Sequence, residues 1–363
     1  MSDQNQFGGR LLSQGLQGCV FVPKLKCLGN SQRKSHANDF IRASQLMVDK
    51  LTSRNEGEQE FVIANKILHI PMYSNYFIIP SKLCRPDPIE KQTEPNLEKC
   101  QIDVDFKNTI ILRMPYGGVG MYDYNFDFKT FSPVQFTQHL LEACALLALN
   151  GVIHNDMHQG NILIDQNQVP RLIDFGRSLF SYEKTTEKDL LTPYSARYSQ
   201  EPPDYFLLNS KINKINKDMA IKDFLEKRRD FINKMGGFFG KTSYEISQDM
   251  EEYTLSSTSY SSGDIVGWFE HHWRTIDAWA VGVRLVDCFF ILSYFQDFNK
   301  IWENEGKIIL PVLKRLVEIN PFRRIDCVQA LDMLDSLGDS PGENVIINSY
   351  AGNWLDKVGR VRL

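Results

Sequence analysis

The stretch "HNDMHQGNILIDQNQVPRLIDFG" (154–176) sets two acids, Asp156 and Asp174, on either side of Asn161. Carboxylates and a side-chain amide oxygen are hard ligands that suit Mg2+. A carboxylate that stays off the metal can orient a hydroxyl and accept its proton. Transfer of a phosphate from a nucleoside triphosphate needs these parts, because it depends on positioning and on neutralising charge. The alternative is that the three residues only punctuate two hairpin turns.

Several elements must hold these groups. "SPVQFTQHLLEACALLALNGV" predicts a long helix with Ser132 as N-cap and Pro133 at its first position. "ILID" and "PRLI" predict a strand–turn–strand that carries the chain from Asn161 to Asp174. Upstream, residues 7–30 read as a hairpin turning around Gly15 and Gly18, and 31–44 as a loop. "QLMVDKL" reads as a strand, and Glu56 to Ile70 as a helix that ends near Pro71. "YFIIP" and "TIILRMPYGG" read as strands separated by a loop at 84–105. A strand-rich unit with one helix therefore precedes a mostly helical one, with the boundary at Gly117 to Gly120.

A chain of 363 residues has room for two domains, and its net charge of -4 speaks against a general nucleic-acid binder. The seven cysteines are odd in number and lack a CxxC pair, which reads as a reducing compartment without a zinc ribbon or disulfide framework. The polar start "MSDQNQFGGR" is unlike a signal peptide. The most apolar run, "AWAVGVRLVDCFFILSYF", includes Arg284 and Asp287 and so reads as a buried helix, with no transmembrane segment expected. Residues 211–235 are basic and near helical spacing, either a packed helix with a solvated face or a docking element. "YTLSSTSYSSGD" reads as a mobile loop.

"HNDMHQGN" is similar to the HRDxxxxN catalytic loop of the protein kinase superfamily, and "DFG" follows thirteen residues after Asn161. The resemblance implies an α+β, bilobal protein-kinase-like fold. Its domains would be a small β-rich N-lobe (1–116), a larger mostly helical C-lobe (117–340) with a long insertion at about 205–270, and a tail (341–363). It implies Asp156 as catalytic base, Asn161 and Asp174 as metal ligands, and His158 assisting at the γ-phosphate. "LSQGLQGCV" resembles the glycine-rich loop, which makes Gly15, Gly18 and Val20 nucleotide-binding, although Ser13 stands where the first glycine would be. "MVDK" puts Lys50 at the phosphate-holding lysine position, with Lys24 and Lys26 as competitors. Its helix partner is read as Glu60 in preference to Glu58. "ILRMPYGG" resembles the hinge, with Met114 as gatekeeper and Pro115 and Gly117 facing adenine; a plain proline-glycine turn is the other reading.

Further on, "QEPPDYF" resembles the APE motif with Asp204 in place of glutamate, and Arg324 of "NPFRRID" is its expected ion-pair partner. "IDAWAVGV" resembles the helix whose acid, here Asp277, binds catalytic-loop N–H groups. Two further residues depart from the family pattern. Asn155 replaces the arginine that answers an activation-loop phosphate, and His158 stands where Ser/Thr kinases carry lysine. The segments "GGRLLSQGLQGCVFVPKLKC" and "ILHIPMYSNYFIIP" look like those of kinase-like proteins of large DNA viruses. The resemblance thus implies an ATP- and Mg2+- (or Mn2+-) dependent serine/threonine protein kinase. Its partners would be protein substrates and its place the cytoplasm of a host cell. A small-molecule kinase of the HxDxHxxN type and a pseudokinase scaffold are the alternatives.

Overall fold

The computed structural model describes residues 10–15, 18–22, 24–29, 46–89, 92, 97–100, 105–338 and 342–361. They fall into two compact units. The first holds the described residues up to Gly118 together with Ile173–Arg177, and the second holds the remainder.

The first unit is built on a five-stranded antiparallel sheet. Its strands are β1 (Arg10–Gly15), β2 (Gly18–Val22), β3 (Met47–Ser53), β4 (Lys82–Cys84) and β5 (Thr109–Pro115), in the order β1-β2-β3-β5-β4. β3 is central and buried over Val48–Thr52, in keeping with a strand covered on both faces. Its one buried acid, Asp49, is held by Arg113 of β5 through Nε and Nη2, each at 2.7 Å, and also accepts the Leu25 N–H. Helix α1 (Arg54–Ile67) starts directly after β3, because the Ser53 hydroxyl accepts the Glu56 N–H and caps it. The helix thus begins two residues before the expected Glu56, and Leu68–Ile70 continue only as a turn.

Two expectations are corrected in this unit. "YFIIP" is no strand: Tyr73–Tyr76 form a single helical turn entered through Met72 in left-handed conformation (φ 57°), and Ile78–Pro80 make no ladder. Phe77, Ile78 and Ile79 are buried all the same, and a short apolar run reports burial and not strand pairing. The strand falls at β4 instead.

The second correction concerns the cysteines. Cys19 is bonded to Cys100 and Cys27 to Cys84, across separations of 81 and 57 residues. All four pack in one cluster with Phe21, Leu25, Leu51, Leu97 and Ile111. Spacing along the chain hid partners that the sheet brings together, and the ground for reading a reducing compartment from the cysteine count is gone. Cys144, Cys288 and Cys327 are free and buried.

The second unit opens with β6 (Val119–Gly120), followed by helix α2 (Pro133–Leu149), where Ser132 accepts the Gln135 N–H as expected for its cap. Then come β7 (Val152–Ile153), β8 (Ile162–Ile164), β9 (Pro170–Leu172) and β10 (Leu179–Phe180). β6, β8 and β9 pair antiparallel, as do β7 and β10. After a single helical turn at Glu187–Leu190, the further helices are α3 (Pro203–Ile212), α4 (Lys217–Lys227), α5 (Arg229–Phe239), α6 (Ser243–Ser256), α7 (Thr258–Ser262), α8 (Ile265–His272), α9 (Ile276–Leu292), α10 (Gln296–Leu316), α11 (Cys327–Leu337), α12 (Val345–Tyr350) and α13 (Gly352–Val358).

The basic stretch 211–235 spans two packed helices that bury Ala220, Ile221, Phe224, Phe231, Ile232 and Met235. "YTLSSTSYSSGD" is helical, which corrects the loop expected there. Tyr253 and Thr254 are buried on α6, and Ser257 caps α7 by accepting the Tyr260 N–H. Serines that look like loop composition serve here as a cap and as back-bonding helix residues. Among the described residues, no helix is long and apolar enough to cross a membrane.

Candidate active site

In the first unit the geometry centres on Lys50. Its Nζ lies 2.8 Å from Glu60 Oε2 and 3.0 Å from Asp174 Oδ2, with the ammonium and Glu60 almost fully buried. β3 supplies the lysine, α1 the glutamate, and the short segment after β9 the aspartate. The competing residues stand elsewhere: Lys24 and Lys26 are exposed, and Glu58 pairs with Arg54 on the surface of α1. Burial works against the ammonium, but the two carboxylates outweigh it and raise the Lys50 pKa above its ordinary value. Lys50 therefore stays cationic at neutral pH.

The glycine pair flanks the β1–β2 turn, with Gly15 opposite Gly18 in the register; Leu16 and Gln17 lie outside the described residues. Only glycine fits at position 18, because a Cβ there would stand 2.4 Å from the Leu51 carbonyl oxygen. Val20, Val48, Met114 and Ile173 share an apolar cluster with Ile78 and Leu112, a surface able to cover one face of a planar ring. Pro115 ends β5 opposite Met47, and Gly117 is buried just beyond it.

In the second unit the loop after β7 is held from α9. Asp277 Oδ2 accepts the His154 N–H at 2.7 Å and Oδ1 accepts the Asn155 N–H at 3.0 Å. Burial pushes the Asp277 carboxyl up, while these N–H groups favour its charged form. Asn155 is in left-handed conformation (φ 61°), and Asp174 adopts the same region (φ 60°) in the first unit. Asn and Asp tolerate that region better than most residues, and such strain gathers at functional positions. Asn161 donates its side-chain N–H to the Asp156 carbonyl at 2.9 Å, so its amide group is oriented with the nitrogen toward that carbonyl. His158 Nδ1 accepts the Gly160 N–H at 3.0 Å, so the neutral ring carries its proton on Nε2.

The segment before α3 also comes to this loop. Gln200 Nε2 reaches Asp156 Oδ1 at 3.4 Å. Arg228, between α4 and α5, donates to the carbonyls of Ala196 and Glu201 at 3.0 and 2.7 Å. Asp204 and Arg324 form the expected pair at 2.7 Å, both side chains fully buried, and Trp268 Nε1 donates to the second Asp204 oxygen at 2.8 Å. Sequence reasoning missed Gln200, Arg228, Trp268 and the grouping around Arg284. For Arg284 a signal existed: two opposite charges one turn apart in the most apolar helix.

Residues 125–182, which include the loop of Asp156 and the segment of Asp174, match the model of the phosphotransferase enzyme family (APH). In a second comparison, 72 residues are 40% identical to a protein of Dictyostelium discoideum named "Putative cyclin-dependent serine/threonine-protein kinase". That match takes in 20% of this chain and spans 10% of the length of the relative. Both point to kinase-like phosphotransfer chemistry.

Proposed function

We propose that the protein is a Mg-ATP-dependent phosphotransferase that passes the γ-phosphate of ATP to a hydroxyl, and that its acceptors are serine and threonine side chains of proteins. The observation that carries the reading is the buried Lys50 ammonium between Glu60 and Asp174. Burying a cation between two acids costs free energy, and it places a fixed positive charge where phosphate oxygens can take over from Asp174. Lys50 holds the α- and β-phosphates, Glu60 keeps it in place, and the Gly15–Gly18 hairpin approaches the phosphates closely. Met114, Pro115, Gly117 and Val20 receive the adenine.

The donor set suits Mg2+: Asn161 offers an amide oxygen and Asp174 a carboxylate, both hard ligands. The ion, when bound, neutralises charge on the phosphate oxygens. Asp156 orients the acceptor hydroxyl and takes its proton, while His158 donates one hydrogen bond from Nε2 toward the γ-phosphate.

A second reading, transfer to a small-molecule hydroxyl, is favoured by the phosphotransferase family match and by His158 in place of lysine. Labelled ATP offered to a protein mixture and to a metabolite panel separates the two. Asp156→Ala is expected to abolish transfer with nucleotide binding kept, and Asp174→Asn to abolish both metal-dependent binding and transfer. Undiminished transfer by Asp156→Ala would sink the assignment. A nucleotide-induced thermal shift without transfer to any acceptor would instead favour a scaffold.

A further inference from the structure

Helix α9 buries Arg284 and Asp287 one turn apart among apolar neighbours, and none of the roles proposed above uses either. Buried charges cost several kcal/mol unless well paired, and apolar residues of similar size often replace them without loss. Their surroundings show what they hold. Arg284 Nη1 donates to Gln159 Oε1 at 3.0 Å, and Nη2 donates to the Ser199 hydroxyl and lies 3.3 Å from Asp287 Oδ2. Gln159 directly follows His158 and stands two residues before Asn161. Ser199 directly precedes Gln200, whose amide reaches Asp156. Trp279, also on α9, donates to the Ser199 carbonyl at 2.9 Å, so one helix grips that residue by main chain and side chain.

Behind Arg284 the charges continue into α5. Asp287 Oδ1 accepts Lys234 Nζ at 2.9 Å, and Oδ2 accepts the Tyr122 hydroxyl at 3.2 Å. Lys234 is buried on a helix whose one other basic residue, Arg229, is exposed, and Asp230 one turn before it completes its pairing. The row Lys234–Asp287–Arg284 thus ends on the two segments that flank Asp156.

We infer that Arg284 is a positioning residue. Its planar fork sets the loop of Asp156, His158 and Asn161 against the segment of Gln200, and Lys234 of α5 fixes that fork through Asp287. The inference rests on the proposed phosphotransfer reaction for its kinetic consequence, and on geometry alone for its structural one. It gives the helices between Asp204 and Asp277 a part in catalysis without contact with substrate.

The test compares Arg284→Met, Lys234→Met and the double variant with the intact chain. Arg284→Met is expected to lower kcat on the order of 10²-fold, the cost of a small misplacement of reacting groups. The KM for ATP and the nucleotide-induced thermal shift should stay unchanged, because they report on Lys50 and the glycine hairpin. Lys234→Met should lower kcat about tenfold, and the double variant should be no slower than Arg284→Met, since the two act in one row. Amide exchange should rise at Met157–Asn161 and at Ser199–Gln200 while Met47–Ser53 stays protected. Should Arg284→Met fail to fold, Gln159→Ala removes one acceptor at an exposed residue and is expected to show the same exchange change over Met157–Asn161. Wild-type kcat with wild-type exchange in these segments overturns the inference, as does a fully additive double variant. If the intact chain phosphorylates no acceptor, the proposed function falls, and amide exchange alone decides the positioning role.

Discussion

The two units solve the same problem, holding a charged group still, by opposite means. In the first unit the candidate charge is itself the anchor: Lys50, Glu60 and Asp174 hold one another, on a sheet tied by two disulfides. In the second unit the candidate groups Asp156, His158 and Asn161 stand on a loop that residues from elsewhere in the chain hold. A scaffold of buried ion pairs and backbone hydrogen bonds, from Asp277, Arg284 and Asp204, fixes the chain on which they stand. The difference fits the proposed tasks. A phosphate-holding lysine can exchange one acidic partner for a ligand oxygen, whereas a base must keep its carboxylate available for an incoming hydroxyl.

Reduction should break the comparison most visibly. Opening both disulfides should cost about 2–4 kcal/mol for each, through the freed loops of the unfolded chain. The loss should appear in the exchange of Met47–Ser53 with reductant present, while Ile276–Leu292 keeps its protection. Equal loosening of both segments would contradict a disulfide contribution confined to the first unit.

The mirror experiment is Asp204→Ala, which leaves the buried Arg324 guanidinium with the Glu318 and Ile319 carbonyls but without its carboxylate, and the Trp268 N–H without its acceptor. It should cost about 3–5 kcal/mol in chemical denaturation, with the first unit spared. Asp204→Glu tests whether the pocket is shaped for the shorter acid, and a gain in stability would show that it is not.

How far the sequence carried these points depends on distance along the chain. Glu60 is preferred to Glu58 because it directly precedes the apolar run "FVIANKI"; in the structure Glu60 meets Lys50, whereas Glu58 pairs with Arg54 on the surface. Asp277, Asp204 and Arg324 were legible as members of ordered motifs. The cysteine pairs were not, since their partners lie on elements that meet only once the sheet forms. The helices α6 and α7 were hidden because serine serves caps and loops alike. Arg284 was noticed only as a charge that a membrane span would exclude; its partners Gln159 and Ser199, 125 and 85 residues away, left no local trace.

A smaller effect refines the contrast in the first unit. Glu60→Gln keeps the shape of the Lys50 partner and removes its charge, leaving Asp174 as the only acid there. The ion pair becomes a hydrogen bond in which only the ammonium is charged, a change of about 1–2 kcal/mol, so ATP affinity should fall about tenfold. Titration by calorimetry measures this, and an unchanged affinity would mean that Glu60 does not help to position the lysine.

The smallest effect tests burial in the second unit. His272 is buried against Phe322 and Trp268, and burial, more than the neighbouring charges, lowers its pKa from the ordinary 6.5. A lowered pKa means that the unfolded chain binds the proton more readily. The neutral ring therefore contributes its full stability above pH 6.5 and loses it as pH falls from there through the folded value. Thermal unfolding of His272→Phe, which keeps the ring contacts, should depend less on pH below 6.5 than that of the intact chain. Identical pH profiles would show that other groups govern the acid limb.

The seven cysteines also make the molecule its own reporter. The four in the first unit are bonded, and the three free thiols, Cys144, Cys288 and Cys327, all lie inside the second. A thiol-reactive label added to the oxidised, folded protein therefore has nothing to attack until the second unit opens. After mild reduction, peptide mapping of the same label at Cys19, Cys27, Cys84 and Cys100 reports on the first. One reagent, used before and after reduction, thus times the opening of each unit separately, without a single engineered residue.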